Sequence, residues 1–105
     1  MKLRMTQNSL RLRLSQSEVA QIGAGQRVEE AVAFGNAAKQ SLAWALVPSH
    51  DAKKVSAHLD EGEITVTLPV ATARAWAVGN EEGLEQSQAL GNGNCLRIII
   101  EKDRV

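Results

Sequence analysis

The side chains best suited to catalysis or metal binding are few and scattered in this 105-residue chain. His50 and Asp51 are adjacent in the segment PSHD, while His58 and Cys95 stand apart. Zinc ligands typically occur as CxxC pairs or as histidines four residues apart on a helix, and neither spacing is present. The PSHD segment favours a turn held by a polar side-chain contact over general-base chemistry. We therefore expect no metal, no organic cofactor and no catalytic residue.

A glycine-rich segment, GAGQRV, resembles part of a phosphate-binding loop. Such loops connect a strand to the start of a helix, so that backbone amides point at the phosphate. Gly23 and Gly25 instead follow a predicted helix, and no third glycine occurs in register. This order favours a helix C-cap.

A group of cationic side chains is concentrated at the start of the chain. Twelve Lys and Arg balance twelve Asp and Glu, and this balance makes nucleic acid an unlikely partner. The first fourteen residues nevertheless contain four basic residues and no acid, namely Lys2, Arg4, Arg11 and Arg13. They could form one strand face that contacts phosphates or an acidic partner. The alternative is cross-strand pairing with Glu29 and other acids.

Three polar residues occur where the strand pattern calls for apolar ones. Glu30, Gln86 and Gln88 alternate with apolar residues on predicted strands, so period-two geometry points them inward. A bulge that turns them outward is one explanation. The other is a polar pocket inside a barrel, which makes these residues the candidate ligand site.

Strands and two short helices must position these groups. Leu10, Leu12 and Leu14 alternate with polar residues, which predicts a half-buried strand. The following SQSE is a capping-box pattern and predicts a helix near residues 17–22. Pro69 suits the opening of a second helix near residues 70–77. The three aromatic residues, Phe34, Trp44 and Trp76, fall on inward positions and are expected in the core.

The two halves of the chain carry the same pattern. Leu10, Leu12 and Leu14 match Ile64, Val66 and Leu68 at a constant offset of 54 positions. This predicts a duplicated ββαββ unit, with halves at residues 1–48 and 54–103 in one domain of residues 1–105. The expected fold class is α+β but mostly β, an antiparallel barrel or sandwich of about eight strands with two short helices.

The sequence also carries two family resemblances. Through MKLRMTQNSLRLRLSQSEV, VEEAVAFG, LAWAL, ITVTLPVATARAWA and RIIIEKD, the whole chain is similar to a family of small bacterial proteins with no established activity. Through GEITVTLPVATAR, one unit resembles the swapped-hairpin barrels of bacterial transition-state regulators and antitoxins. The second resemblance implies DNA binding as an alternative function.

The expected function is a non-enzymatic binding or interaction domain whose partner is an unknown protein or a small ligand. A small enzyme or ligand-binding barrel with a polar interior is a third possibility. Cys95 is the only cysteine, so no internal disulfide can form, and no apolar run approaches the ~18 residues of a membrane helix. With no secretory signal in the sequence, we expect a cytoplasmic protein that does not bind membranes.

Overall fold

Eight strands and two short helices follow one another in the order strand, strand, helix, strand, strand, twice over. The structure is a computed structural model that describes residues 1–103. Its elements are β1 (Lys2–Thr6), β2 (Ser9–Leu14), α1 (Gln16–Gly23), β3 (Val28–Ala33), β4 (Ser41–Ser49), β5 (Ser56–Asp60), β6 (Glu63–Pro69), α2 (Val70–Val78), β7 (Gly83–Gly91) and β8 (Asn94–Lys102). Both helices lie where the sequence predicts them.

The strands form two four-stranded sheets that do not close into a barrel. The first sheet has the order β1-β2-β8-β7 and the second the order β3-β4-β6-β5. Each sheet therefore combines one hairpin from each half of the chain. Four of the six pairings are antiparallel, as predicted, but the central pairings β2–β8 and β4–β6 are parallel. Each hairpin joins its neighbour through its second strand, and all second strands run away from their turns, so the two that meet are parallel.

The central pairings have the same register in the two sheets. Leu12 pairs with Ile100 in the first sheet, and Leu46 pairs with Val66 in the second. Val66 lies 54 positions after Leu12, and Leu46 lies 54 positions before Ile100. The offset seen in the sequence is therefore also the offset between equivalent backbone positions.

Local sequence signals account for the ends of the elements. The Glu18 amide donates to Ser15 Oγ at 3.3 Å, and the Ser15 amide donates to Glu18 Oε1 at 2.9 Å, which completes the predicted capping box. Asn92 and Gly93 both have positive φ, the geometry of the tight hairpin turn that Asn-Gly favours. The four hairpin loops lie at one end of the sandwich, and the two helices pack together at the other.

The core fills the space between the sheets and the helices. The largest of its fully buried side chains are Leu12, Leu14, Ile22, Leu46, Val66, Leu68, Ile98 and Ile100. Trp76 is buried, as predicted, and Trp44 is half-buried. The prediction for Phe34 is wrong, because its side chain is 74% exposed. Phe34 has the inward position of the alternation, but it lies beyond the end of β3, at the hairpin end where the sheets leave it uncovered.

Candidate functional site

The outer surface of the first sheet gathers basic side chains from three strands. We call the surface formed by Lys2, Arg4, Arg11, Arg13 and Arg97 the basic face. Period two explains it, since Leu3 on β1 and the leucines of β2 point into the core and leave the alternate positions outside. The four basic residues predicted to share a strand face are thus brought together, and Arg97 on β8 joins them.

Two pairs of like charges lie directly opposite each other in the β1–β2 hairpin. Lys2 is the cross-strand partner of Arg13, and Arg4 is the partner of Arg11. Like charges in such positions typically cost a few tenths to about 1 kcal/mol per pair. The two like-charge pairs therefore destabilise the β1–β2 hairpin, and nearby anions reduce this repulsion.

Glu101, on β8, is the carboxylate that relieves most of this repulsion. Its Oε2 accepts from Arg11 Nη1 at 2.7 Å, while its Oε1 accepts from Arg13 Nη2 at 2.7 Å and from Arg13 Nε at 2.9 Å. Desolvation alone would raise the pKa of Glu101, but the hydrogen bonds from Arg11 and Arg13 outweigh it and hold that pKa below its ordinary value. Lys2 Nζ lies 3.6 Å from Asp103 Oδ2.

The predicted acidic partner of this face, Glu29, lies elsewhere. It is on β3 in the second sheet, where Arg27 Nη2 donates to its Oε2 at 2.9 Å. Cross-strand pairing with acids does occur on the basic face, but the acid comes from β8, the strand that lies next to β2. On the same face Arg97 donates to both carboxylate oxygens of Glu85, at 2.7 and 3.0 Å, and this contact lowers the pKa of Glu85.

Arg4 is the member of the basic face that has no ion-pair partner among residues 1–103. It borders two depressions in the surface. One has a volume of about 290 Å³ and is lined by Lys2, Leu3, Arg4, Arg11 and Arg13. The other has a volume of about 190 Å³ and is lined by Arg4, Thr6, Ser9 and Arg11. Guanidinium groups beside hydroxyl groups are suited to binding the oxygens of a carboxylate or a phosphate.

Of the three residues predicted to line a polar pocket, Glu30 lies in a different sheet from Gln86 and Gln88. Glu30 lies on β3 in the second sheet, and its carboxylate accepts from the Met1 amine at 3.1 Å. Gln86 and Gln88 lie on β7 in the first sheet. Within residues 1–103, Gln86 donates to the Ser87 carbonyl alone, at 3.2 Å. A shared ligand site for the three stays a prediction, and the structure does not group their side chains.

Gln88 has a contact that the sequence does not reveal. Its Oε1 accepts from the Ala57 amide at 2.8 Å, and its Nε2 donates to the Ala57 carbonyl at 2.9 Å. The side chain therefore pairs with the edge of β5 as a neighbouring strand would. Only the approach of β7 to β5, which lie in different sheets, makes this bond possible.

The histidines and the cysteine belong to different parts of the fold, with His50 after β4, His58 on β5 and Cys95 on β8. Among residues 1–103, no three His, Cys, Asp or Glu side chains are grouped so that they could hold a metal ion. The Asp51 amide donates to Ser49 Oγ at 3.2 Å, a polar contact of the kind expected in the PSHD turn. Cys95 is exposed on β8. His58 lies on β5 at the edge of an apolar cleft.

This apolar cleft is a surface depression that the sequence pattern does not reveal. It lies between the sheets at the hairpin end, has a volume of about 240 Å³, and is lined by Met5, Thr6, Ser9, Leu10, Ala57, His58, Leu59, Ile64 and Leu96. Leu59 is 72% exposed at its rim. The strand alternation identifies these apolar residues as inward-facing, but it carries no information on where the opposing sheet stops.

The fold and the basic face together define an α+β sandwich of exchanged hairpins with a charged sheet surface. The whole chain, residues 1–105, matches a family of unknown function (DUF7009), and the chain belongs to that family. The expected membership of a family without an established activity is thereby confirmed. No curated protein and no solved structure matches the chain. Within the described residues, no helix has the length and apolar character needed to cross a membrane.

Proposed function

We propose that the protein is a non-enzymatic binding domain that holds an acidic segment of a partner protein on its basic face. The observation that carries this proposal is the retention of two like-charge pairs, Lys2 with Arg13 and Arg4 with Arg11, on one hairpin. Repulsion of this kind lowers the stability of the folded protein, so folding does not account for these basic residues and a use outside folding does. An acidic partner supplies that use, since it replaces repulsion with charge-assisted hydrogen bonds.

The equivalent hairpin in the second sheet serves as an internal comparison. There Ser56 pairs with Thr67, and His58 pairs with Thr65, at the positions 54 residues further along the chain. The Ser56 and Thr67 hydroxyl groups are 2.9 Å apart and form a hydrogen bond. The backbone arrangement therefore accepts small hydroxyl side chains where the first hairpin has Lys2 and Arg13. This supports a role for the basic residues outside folding.

The existing contacts of the basic face favour a carboxylate ligand. Arg11 and Arg13 already bind both oxygens of the Glu101 carboxylate, which is an internal precedent for the proposed recognition. The five cations of this face are contacted by three carboxylates, so its net charge is +2. The three acids are Glu85, Glu101 and Asp103. A modest excess suits a short acidic peptide better than the dense phosphate array of duplex DNA.

The test is a fluorescence-anisotropy titration with a labelled Glu- and Asp-rich peptide and a peptide of the same length in which Gln and Asn replace the acids. We expect the acidic peptide alone to bind, more weakly as salt rises. Arg4→Gln should reduce the affinity without removing any ion pair, since Arg4 has none within residues 1–103. The double variant Arg11→Thr/Arg13→Thr should reduce it further. The control is Arg27→Gln, a change to another exposed arginine, which lies outside the basic face just before β3.

Equal binding of both peptides, or an affinity unchanged in Arg4→Gln and in the double variant, would refute the proposal. Random and promoter-derived duplexes form a second arm of the experiment. The DNA-binding alternative is not favoured, because the chain has no net charge and its family indicates no such activity. Submicromolar duplex binding with a steep salt dependence would reverse this preference. The logarithm of the affinity should then fall with the logarithm of the salt concentration, with a slope of about 0.9 for each phosphate contact.

We also propose that residues 1–48 and 54–103 arose by internal duplication and form a single domain. The matched registers Leu12–Ile100 and Leu46–Val66 support this proposal. An experimental structure whose two halves do not superpose would refute it.

We further propose that the protein binds no cofactor and that it is located in the cytoplasm. Native mass spectrometry of protein purified without chelator would test whether a cofactor is bound. Fractionation of cells that express the protein would test its location.

A further inference from the structure

Three of the four edge strands have features that discourage pairing with another strand. β1 places Lys2 and Arg4 on its exposed surface. On β5, the backbone of Ala57 is occupied by Gln88. β7 has a bulge between Ala89 and Gly91. Charges, covering groups and bulges are common means by which proteins protect sheet edges.

The second half of β3 has no such feature. Residues 31–34, with the sequence AVAF, contain no charge and no proline, and the pairing of β3 with β4 is regular. The Phe34 amide donates to the Gln40 carbonyl at 2.6 Å. In an antiparallel pair the bonded residues alternate, so Val32 bonds towards β4 while the amide and carbonyl of Ala31 and Ala33 point away from the sheet.

Apolar side chains accompany this free edge. Val32 is 45% exposed and Phe34 is 74% exposed, although both occupy inward positions of the alternation. Ala31 and Ala33 on the opposite surface are exposed and small, so they allow a further strand to approach closely. The edge therefore offers an added strand apolar surface and backbone groups that have no partner in the described part of the chain.

The charges around the edge are arranged with opposite signs at its two ends. Glu29 and Glu30 lie at the start of β3, and Lys39 lies in the short 3₁₀ turn, Ala38–Gln40, beyond its end. Lys39 has no ion-pair partner among residues 1–103. A strand that runs antiparallel and carries the same sequence would bring its own acids to this lysine.

We propose that a second copy of the chain adds to β3 in antiparallel orientation, with a two-fold axis at Ala33. This register sets Val32 beside Phe34 of the second copy, and Phe34 beside its Val32, so that both exposed apolar side chains gain cover. Glu30 then lies opposite Asn36 of the second copy, three residues from its Lys39. The contact is isologous and closes as a dimer, joining two four-stranded sheets into one of eight strands.

Sedimentation equilibrium over a series of concentrations tests the proposal. We expect the unmodified chain to show twice its mass of 11.3 kDa. Ala33→Pro should give monomers, because proline removes an outward N–H that β4 does not use. Val32→Lys should also give monomers, since it places charge beside Phe34 of the second copy. Lys39→Glu should weaken the dimer by bringing like charges together.

The control is Val78→Lys, which adds the same charge at an exposed valine at the helix end and should leave the dimer intact. Circular dichroism of each variant verifies that the fold persists. A chain that stays monomeric throughout the micromolar range would overturn the proposal. A dimer that withstands both Ala33→Pro and Val32→Lys would also overturn it, since the contact would then lie elsewhere.

Discussion

Arg4 lies directly opposite Arg11 across the β1–β2 hairpin, and of the two only Arg11 is bound by a carboxylate within residues 1–103. Because Arg4 contributes repulsion to the free protein, Arg4→Gln should raise the free energy of unfolding by up to about 1 kcal/mol. The same change should weaken binding of the acidic peptide. Urea unfolding measured alongside the anisotropy titration would detect these opposite effects. Arg27→Gln is the matched control and should not stabilise the protein, because it breaks the ion pair with Glu29. A destabilised Arg4→Gln protein would contradict the expectation.

Glu101 should make the protein sensitive to acid. Its pKa is lowered in the folded state, so its stabilising contribution is present above the ordinary value of 4.5 and is lost as the pH falls through the folded-state pKa. Glu101→Gln should cost about 1 kcal/mol or less at pH 7, since the ion pairs are partly solvated. The difference between the variant and the unmodified protein should shrink in acid. Urea unfolding across a pH series would measure it, and a difference independent of pH would exclude this role.

Gln88 should contribute to stability through its two bonds to Ala57. Ala57 is buried, so Gln88→Ala leaves an amide and a carbonyl without partners and should cost about 1–3 kcal/mol. Gln86→Ala, on the same strand, is the control, and its effect should stay within about 0.5 kcal/mol. Urea unfolding of both variants provides the comparison. Equal losses in the two would show that the Ala57 contact has no special role.

The helices approach each other closely at Gly23 and Ala77. A Cβ atom added to Gly23 would lie 2.4 Å from the Cβ of Ala77, which is too close for either helix to accept without moving. Gly23→Ala should therefore destabilise the protein by about 1–3 kcal/mol, despite the better helix propensity of alanine. Ala77→Gly should relieve the clash, so the double variant should be more stable than the sum of the single changes predicts. Thermal or urea unfolding of all four proteins measures this coupling, and simple additivity would contradict it.

The parts of this structure that depend on local patterns are predictable from the sequence. The capping box at Ser15, the Asn92–Gly93 turn and the shared outward positions of Arg11 and Arg13 all follow from residues that are close in the chain. The parallel pairing of β2 with β8 does not follow, because alternation marks a strand's faces but not its neighbour. For the same reason Glu101 replaces Glu29 as the acid of the basic face.

The contacts that join the two sheets also cannot be predicted from the local sequence pattern. Phe34 has the alternation of a core residue, and its exposure depends on where the other sheet ends. The sequence alone gives no reason for a polar residue at the inward position of Gln88. The reason is its hydrogen bonds to Ala57 on β5. The candidate site is therefore predictable as a set of cations, whereas its carboxylate partners are not.

Because each sheet combines hairpins from both halves of the chain, neither sheet can be completed until the second half has been synthesised. β8 begins at Asn94, 80 positions after β2 ends at Leu14, so β2 leaves the ribosome well before its neighbour. Pairings between segments so distant in sequence form slowly and leave apolar strand faces exposed meanwhile. Nascent chains arrested before β8 has emerged should therefore be cut readily by protease, whereas those released after it should resist. Until β8 emerges, the β1–β2 hairpin lacks its neighbouring strand, and its leucines stay exposed or are shielded by a chaperone.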